Sequence, residues 1–288
     1  MKKRTISFAV LLMVCIVLFI MSYYNSRQIC TIIEYGDDSW NQGMFYTIED
    51  ASGHFIVIDG GWPEQEQYVR DIIAQHNNHV DAWIITHTHQ DHVGAFNSIY
   101  SHLAGIEIDA IYTGDVDVNH FYQMCTPDDH IEQFERFQEI ICDNDKVHYL
   151  HKGDNLQIGD IDIQVFNAYN DDFKTYDFRY NLPNASSLVF KVSYGDSSML
   201  FLADCEASME NYMDVEDMKA DYVQMAHHGQ NMSDEFYAEI GADTYFVDCP
   251  ASLRESDAFN VKERVEKLRA EGKTVLNYDT APNEIVLR

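Results

Sequence analysis

Ile84-Ile85-Thr86-His87-Thr88-His89-Gln90-Asp91-His92-Val93-Gly94 places three imidazoles and a carboxylate within six residues. Its apolar, β-branched start reads as a buried strand, and Val93-Gly94-Ala95-Phe96 opens a helical pattern. Alternate side chains of an extended segment share a side, so His87 and His89 face the same way. The turn into the helix brings Asp91 and His92 back toward the same point. Two neutral imidazoles suit a borderline metal, and a pair containing a carboxylate makes room for a second ion. Thirteen histidines in 288 residues will cluster somewhere by chance. Chance rarely delivers a whole H-x-H-x-D-H pattern at a strand-to-helix junction.

Two further strand ends carry residues of metal-binding type. A hairpin over residues 187–202 runs into Ala203-Asp204-Cys205, where a carboxylate can bridge two cations with its two oxygens. A short strand over 222–226 ends in His227-His228-Gly229, where the freedom of Gly229 lets a side chain turn inward. Taken singly, an Asp after a strand is ordinarily a turn or cap residue, and a His pair is ordinarily surface. His102, His120, His130, His148 and His151 read as surface or satisfied core histidines.

With these residues assembled in this order, the chain resembles the metallo-β-lactamase superfamily of metal-dependent hydrolases. Asn184-Ala185-Ser186-Ser187, then Asp204, then His227-His228-Gly229 resemble the branch holding the ComEC-type hydrolase domain and the phosphorylcholine esterases. The resemblance implies an α/β fold, an αββα sandwich with the metal site in a cleft at one edge. It implies that His87 and His89 face one ion, that Asp91 and His92 face the second, and that Asp204 bridges. His227 is expected to complete the second site, with His228 as a phosphate contact or proton donor, although the pair can exchange these roles. Asp59, before Gly60-Gly61 at the end of another strand, is implied to support the cleft from behind the ligands. Many superfamily members place a histidine ligand before the Asp204 position. This chain has none between His151 and Asp204, and Asn184 and Ser187 stand there instead. One or two divalent ions are therefore expected, zinc by ligand type, with manganese open.

The composition constrains the partners. The whole chain has 48 Asp+Glu against 19 Lys+Arg, a net charge of −29, and 46% hydrophobic residues. Residues 1–27 hold Lys2, Lys3, Arg4 and Arg27 and no acid, so the remainder is more acidic still. Such a surface disfavours nucleic acid and anionic lipid without excluding a local groove that admits them. Residues 6–20 form a continuous apolar run near the ~17-residue minimum for a bilayer span. The basic residues ahead of it point to a single transmembrane helix with a cytoplasmic tip in residues 1–27 and an exported domain in 28–288. Tyr23-Tyr24-Asn25 offers no small-x-small cleavage site, which favours an anchor over a secreted, signal-cleaved form. The cysteines show no C-x-x-C pair, so neither a disulfide scaffold nor a zinc knuckle is indicated. Cys125 and Cys142 could pair across a loop if the compartment is oxidising.

Elsewhere strands are expected at 30–35, 44–49, 54–58, 106–112, 147–150, 161–166, 244–247, 274–276 and 284–287. Helices are expected at 64–75, 95–103, 130–141, 207–218, 233–240 and 261–269. Residues 170–180 read as a polar, aromatic loop that either faces substrate or packs down. Alternation of strands and helices without a linker argues for one α/β domain after the anchor. The expected activity is metal-dependent hydrolysis of a phosphodiester or related ester, with Asp91 and Asp204 orienting a metal-activated water. A nuclease is the nearest rival, and a degenerate binding module is the alternative from another class.

Overall fold

The computed structural model describes residues 10–16, 29–36, 41–176, 181–257, 259–278 and 281–288. Its strands are β1 (Cys30–Glu34), β2 (Phe45–Asp50), β3 (Phe55–Asp59), β4 (His79–Ile84), β5 (Glu107–Gly114), β6 (Val147–Leu150), β7 (Asn155–Ile158), β8 (Ile161–Asn167), β9 (Val189–Tyr194), β10 (Ser197–Phe201), β11 (Tyr222–Gln224), β12 (Thr244–Val247), β13 (Thr274–Asn277) and β14 (Asn283–Leu287). They form two seven-stranded sheets, ordered β14-β1-β2-β3-β4-β5-β6 and β13-β12-β11-β10-β9-β8-β7.

β3 is buried at every position, as a central strand covered on both faces must be. The inner face of this sheet, through Ile32 and Ile58, meets Phe190, Phe201 and Phe246 of the other sheet. The Phe201 ring stacks on Phe190 with centroids 5.2 Å apart and meets Tyr46 edge-on at 5.2 Å. Outside the first sheet, helices Glu66–Gln75, Gln90–Ser101 and Ile131–Ile141 bury Ile73, Phe96 and Phe137 against Val57, Trp83 and Ile111. Outside the second, helices Asp234–Ile240 and Val261–Ala270 bury Phe236 and Val265 over Val223 and Tyr245. The result is an αββα sandwich.

Local departures from the expected elements bear on the site. β4 stops at Ile84, and the helix starts at Gln90, so Asp91 and His92 sit in its first turn rather than ahead of it. Gly94 holds that turn close to its neighbour, since a Cβ there would lie 2.5 Å from the Pro63 nitrogen. The helix expected at 207–218 is two 3-10 turns, Ala207–Tyr212 and Val215–Met218, because the Asp214 side chain accepts from the Glu216 amide and restarts the chain. β7 and the helix Val118–Met124, capped by Asp117, were hidden between turn residues. In the 170–180 loop, Asp171–Lys174 is a 3-10 turn that buries Phe173, and residues 177–180 lie outside the described residues.

Among the described residues no helix is long and apolar enough to cross a membrane. Within the expected anchor, residues 10–16 are helical and expose Val10, Leu11, Met13 and Ile16, and the remainder lies outside the described residues. Cys125 and Cys142 form no disulfide.

A buried polar chain ties the two sheets together. Gln224 of β11 accepts from the Leu202 and Ala203 amides at 3.0 and 2.7 Å and donates to Asp248 Oδ2 at 2.8 Å. The Tyr46 hydroxyl of β2 donates to Asp248 and lies 3.2 Å from Glu34 Oε1. Burial, followed by the nearby charge of Asp248, pushes the Glu34 carboxyl well above its ordinary range. The folded protein thus keeps a proton that the unfolded chain releases above pH ~4.3, so Glu34 costs stability progressively as pH rises from there. Glu34→Gln cannot ionise, and we expect it to gain stability relative to the parent at pH 8 compared with pH 5, read from urea midpoints. Equal differences at the two pH values would show that Glu34 is ionised in the fold.

Candidate metal centre

The site forms where β3, β4, β10 and β11 end, and hydrogen bonds behind it aim each imidazole. Asp59 accepts from the Thr86 amide at 2.8 Å and the Thr86 hydroxyl at 2.6 Å. His92 Nδ1 donates to Asp59 Oδ2 at 2.7 Å, which makes Nε2 the ring nitrogen that would ligate, facing Asp204 Oδ1 at 3.1 Å. Because the Thr86 hydroxyl gives its proton to Asp59, it accepts from His87 Nδ1 at 3.2 Å, so His87 Nε2 is unprotonated. His89 Nε2 lies 2.9 Å from the buried Asp129 Oδ1, an acceptor, and this leaves the lone pair on Nδ1. That Nδ1 faces His87 Nε2 at 3.1 Å. Two lone pairs at that distance repel unless a cation lies between or beside them.

The other half of the centre shows the same need. His228 Nε2 lies 3.2 Å from Asp91 Oδ2 and 3.4 Å from Asp204 Oδ2, close enough for attraction but misaligned for a hydrogen bond. His92 Nε2, Asp204 Oδ1 and both His228 ring nitrogens are buried with no hydrogen-bond partner among the described residues. Each such orphan costs ~1–3 kcal/mol. Donor atoms of Asp91, His92, Asp204 and His228 lie within 4.8 Å of one another, as do those of His87, His89 and Asp204. These imidazole and carboxylate sets fit one or two divalent ions, with Asp204 common to both.

Charge reinforces the fit. Burial would raise the Asp204 carboxyl, yet positive charge on His228, His92 and His227 holds it well below its ordinary range. Asp91 is lowered against burial by its His228 contact and the charge of His92. Burial would lower His92 and His228, but the negative charge of Asp204, with Asp59 or Asp91 beside it, overrides this. His92 rises well above its usual value and His228 rises to about 10. Burial and then the charge of His92 push His87 well down. The carboxylates thus demand positive charge at the centre. Protons meet the demand in the metal-free protein, and a divalent ion would release them.

His227 stands apart from both ligand groups. Asn231 Nδ2 lies 3.1 Å from its Nδ1, which places the ring proton on Nε2, 3.7 Å from Asp204 Oδ2. Its side chain is 27% exposed and lines an open cleft of about 450 Å³ with Asp91, Asp204, Asn184 and Trp62. The expectation favoured His227 over His228 as the ligand, with the two roles exchangeable; His228 lies within the donor set and His227 at the mouth of the cleft. The cause is backbone conformation. Both residues are left-handed, with φ of 51° and 55°, so consecutive side chains diverge, a choice that composition does not reveal. The turn at 59–61 likewise puts Asp59 itself at φ 52°.

Residues 38–104 match the family model of the metallo-β-lactamase superfamily. That matched stretch holds the His87–His92 run, and the buried His/Asp cluster it contributes to is that of a metal-dependent enzyme. No curated protein matches it. Among solved structures it is similar to the metallo-β-lactamase fold protein YhfI from Bacillus subtilis, at 13% identity and a TM-score of 0.56, over 90% of this chain and 100% of that one. It is similar to the diiron β-hydroxylase CmlA from Streptomyces venezuelae at 14% identity and 0.56, over 89% of this chain and 54% of that one. A diphosphatase of the PhnP family is similar at 12% and 0.52, over 90% and 98%. These likenesses are of fold.

The structure brings together His87, His89, Asp91, His92 and Asp204, with Asp59 behind His92. The sequence reading missed Asp129, whose only signal was a Thr126-to-Asp129 turn spacing far from the motif. Asn184, at the position of the absent histidine, is buried with an unpartnered Oδ1 and lines the cleft. Because ions bound here link separate parts of the fold, a chelator should lower the melting temperature. A site held at a hundredfold its Kd adds ~2.7 kcal/mol. Calorimetry with chelator and then with zinc or manganese restored checks this, and superimposable melts would count against a bound ion.

Proposed function

We propose that the domain is a hydrolase of phosphodiesters or related esters, in the branch of the ComEC-type and phosphorylcholine esterase-like proteins. The observation that carries the reading is the single buried carboxylate, Asp204, common to two converging donor sets. When bound, divalent ions supply Lewis-acid polarisation and an ionised water near neutral pH. The chain's residues do the rest. Asp204 and Asp91 orient the attacking water, and Asp91 is steadied by Gln42 Nε2, which donates to its Oδ2 at 3.3 Å. His227 presents Nε2–H to the ester oxygen, and Trp62 walls the cleft.

The cleft lining supports an ester with little charge. Among the described residues it holds carboxamides such as Asn41, Gln42, Asn181 and Asn184 and no Lys or Arg, which suits a diester monoanion better than a polyanion. With the acidic surface, that also makes a nuclease the weaker reading. The likeness to a diphosphatase supports phosphate chemistry, and the one to a diiron hydroxylase keeps iron beside zinc and manganese as the ion.

Against bis-p-nitrophenyl phosphate, Asp204→Ala and His89→Ala are each expected to lower kcat by at least ~10³, which is ~4 kcal/mol of barrier. His228→Ala should lose an ion. His227→Ala should keep its full metal content and lose ~10²-fold, the scale for one hydrogen-bond donor to the reacting group. Metal stoichiometry measured beside rate separates these roles, and an Asp204→Ala protein with parental activity would sink the hydrolase reading.

We also propose that the domain is exported and held by its N-terminal segment. The exposed apolar helix at 10–16, behind Lys2-Lys3-Arg4, supports this. A tag at Arg288 should react with an impermeant reagent on intact cells, and full protection of the tag would overturn the topology.

A further inference from the structure

Forty residues beyond His89, the turn Thr126–Asp129 folds over the site. Asp129 is wholly buried and uses both carboxylate oxygens. Oδ2 accepts from the Thr126 amide, while the Asp129 amide donates back to the Thr126 carbonyl at 3.1 Å. That reciprocal pair completes the turn by itself. Oδ1 takes no part in it and lies 2.9 Å from His89 Nε2.

Asn181 Nδ2 also lies near His89 Nε2, at 3.3 Å, and as a donor it would demand the opposite tautomer. Asp129 decides the matter. It is closer at 2.9 Å against 3.3 Å, it is charged, and a carboxylate only accepts, whereas the Asn181 amide is already committed through its Oδ1, which accepts from the Asn184 amide at 3.2 Å. His89 therefore carries its proton on Nε2 and aims a Nδ1 lone pair at the space beside His87 Nε2. The turn is pinned from its other end as well. His130, left-handed at φ 48°, opens the helix Ile131–Ile141 and has Nε2 2.6 Å from Gln90 Nε2, next to His89 in sequence.

We propose that Asp129 is a positioning residue, the carboxylate that fixes the tautomer and ring orientation of His89 and thereby sets the affinity of the His87/His89 half of the centre. The inference rests on the metal reading and goes further, because it assigns the two halves separate supports. Asp59 serves His92, and Asp129 serves His89. Outer carboxylates of this kind are worth ~10–100-fold in metal affinity.

The substitution that tests it is Asp129→Asn in the full-length protein. An asparagine can satisfy the Thr126 amide with its oxygen, but it then turns its NH2 toward His89. It favours the Nδ1–H tautomer, which cannot ligate through Nδ1. Metal-free protein is titrated with zinc against a chromophoric chelator, and cobalt absorption reports the geometry. We expect one of two affinities to fall ~10–100-fold and the other to hold, with the metal-free melting temperature little changed. In a His89→Ala background the further change Asp129→Asn should have no effect on the remaining affinity. Unchanged affinities in Asp129→Asn would overturn the assignment, and so would an equal loss of both.

If the variant does not fold, nitrogen-15 NMR of the metal-free parent reads the tautomer directly. His89 as Nε2–H supports the proposal, and His89 as Nδ1–H refutes it. The parental titration keeps the two levels apart. A parent that binds no ion ends the metal reading and this inference with it, whereas a parent that binds two with an indifferent Asp129→Asn ends only this inference.

Discussion

Asp204 is a carboxylate kept out of water with imidazoles on several sides, and the rest of the molecule is arranged around satisfying it. An ion buried without compensation costs several kcal/mol. His92, His228, His87 and His227 all reach within 3.1–3.8 Å of its oxygens. None of these contacts closes the hydrogen-bonding requirement, since Asp204 Oδ1 and the facing His92 Nε2 both remain unpartnered. The arrangement is poor as a set of protein–protein contacts and good as a set of ligands. The backbone bears part of the cost. Asp59, Ala203, His227 and His228 are all left-handed without being glycine, at ~1–3 kcal/mol for such strained residues. Other left-handed residues such as Asn77, Asn78, Ala104 and Asp143 lie in turns, but these four stand on the strand ends that hold the centre, where geometry is fixed for chemistry.

The two halves of the chain solve one geometric problem in the same way. In the first sheet β14, β1, β2 and β3 pair antiparallel, and the pairing is parallel from β3 through β6. In the second, β7 through β10 pair antiparallel, and the pairing is parallel from β10 through β13. The first parallel pair of each sheet is therefore β3/β4 and β10/β11. Both strands of a parallel pair end on the same edge, so each pair delivers two loops to one place. Asp59 and the His87–His92 run come from the first pair, and Asp204 and His227-His228 come from the second. A carboxylate after one strand and imidazoles after the next thus occur twice, and stacking the sheets makes the two loop pairs converge.

This explains which parts of the site were legible. His87, His89, Asp91 and His92 lie within six consecutive residues, so the local rule that alternate residues share a face already groups them. Asp204 and the His227-His228 pair were legible because each ends an apolar strand. The choice between His227 and His228 was not, since it depends on two successive positive φ angles, which are uncommon outside glycine. Asp129 was invisible for another reason. Its spacing from Thr126 fully accounts for it as a turn residue, and only the fold carries that turn to His89. The helix expected at 207–218 failed because apolar spacing gave no weight to Asp214, whose carboxylate competes for a backbone amide.

The buried chain from Gln224 to Glu34 explains how Asp204 keeps its place while the two sheets remain separate layers. Ala203 must be left-handed to aim Asp204 inward, and its amide and carbonyl are both held, by Gln224 Oε1 at 2.7 Å and by the His227 amide at 2.8 Å. Gln224 passes the constraint to Asp248, and Asp248 passes it through Tyr46 to the opposite sheet. The Tyr278 hydroxyl donates toward the Asp248 and Gly43 carbonyls, and the Met44 amide donates to the Asp91 carbonyl at 3.0 Å. The same chain therefore reaches both carboxylates of the centre, Asp204 through Ala203 and Asp91 through the Gly43–Met44 backbone. An apolar core alone fixes two sheets only to within the tolerance of side-chain packing. Directional bonds between them fix the register on which a shared ligand depends.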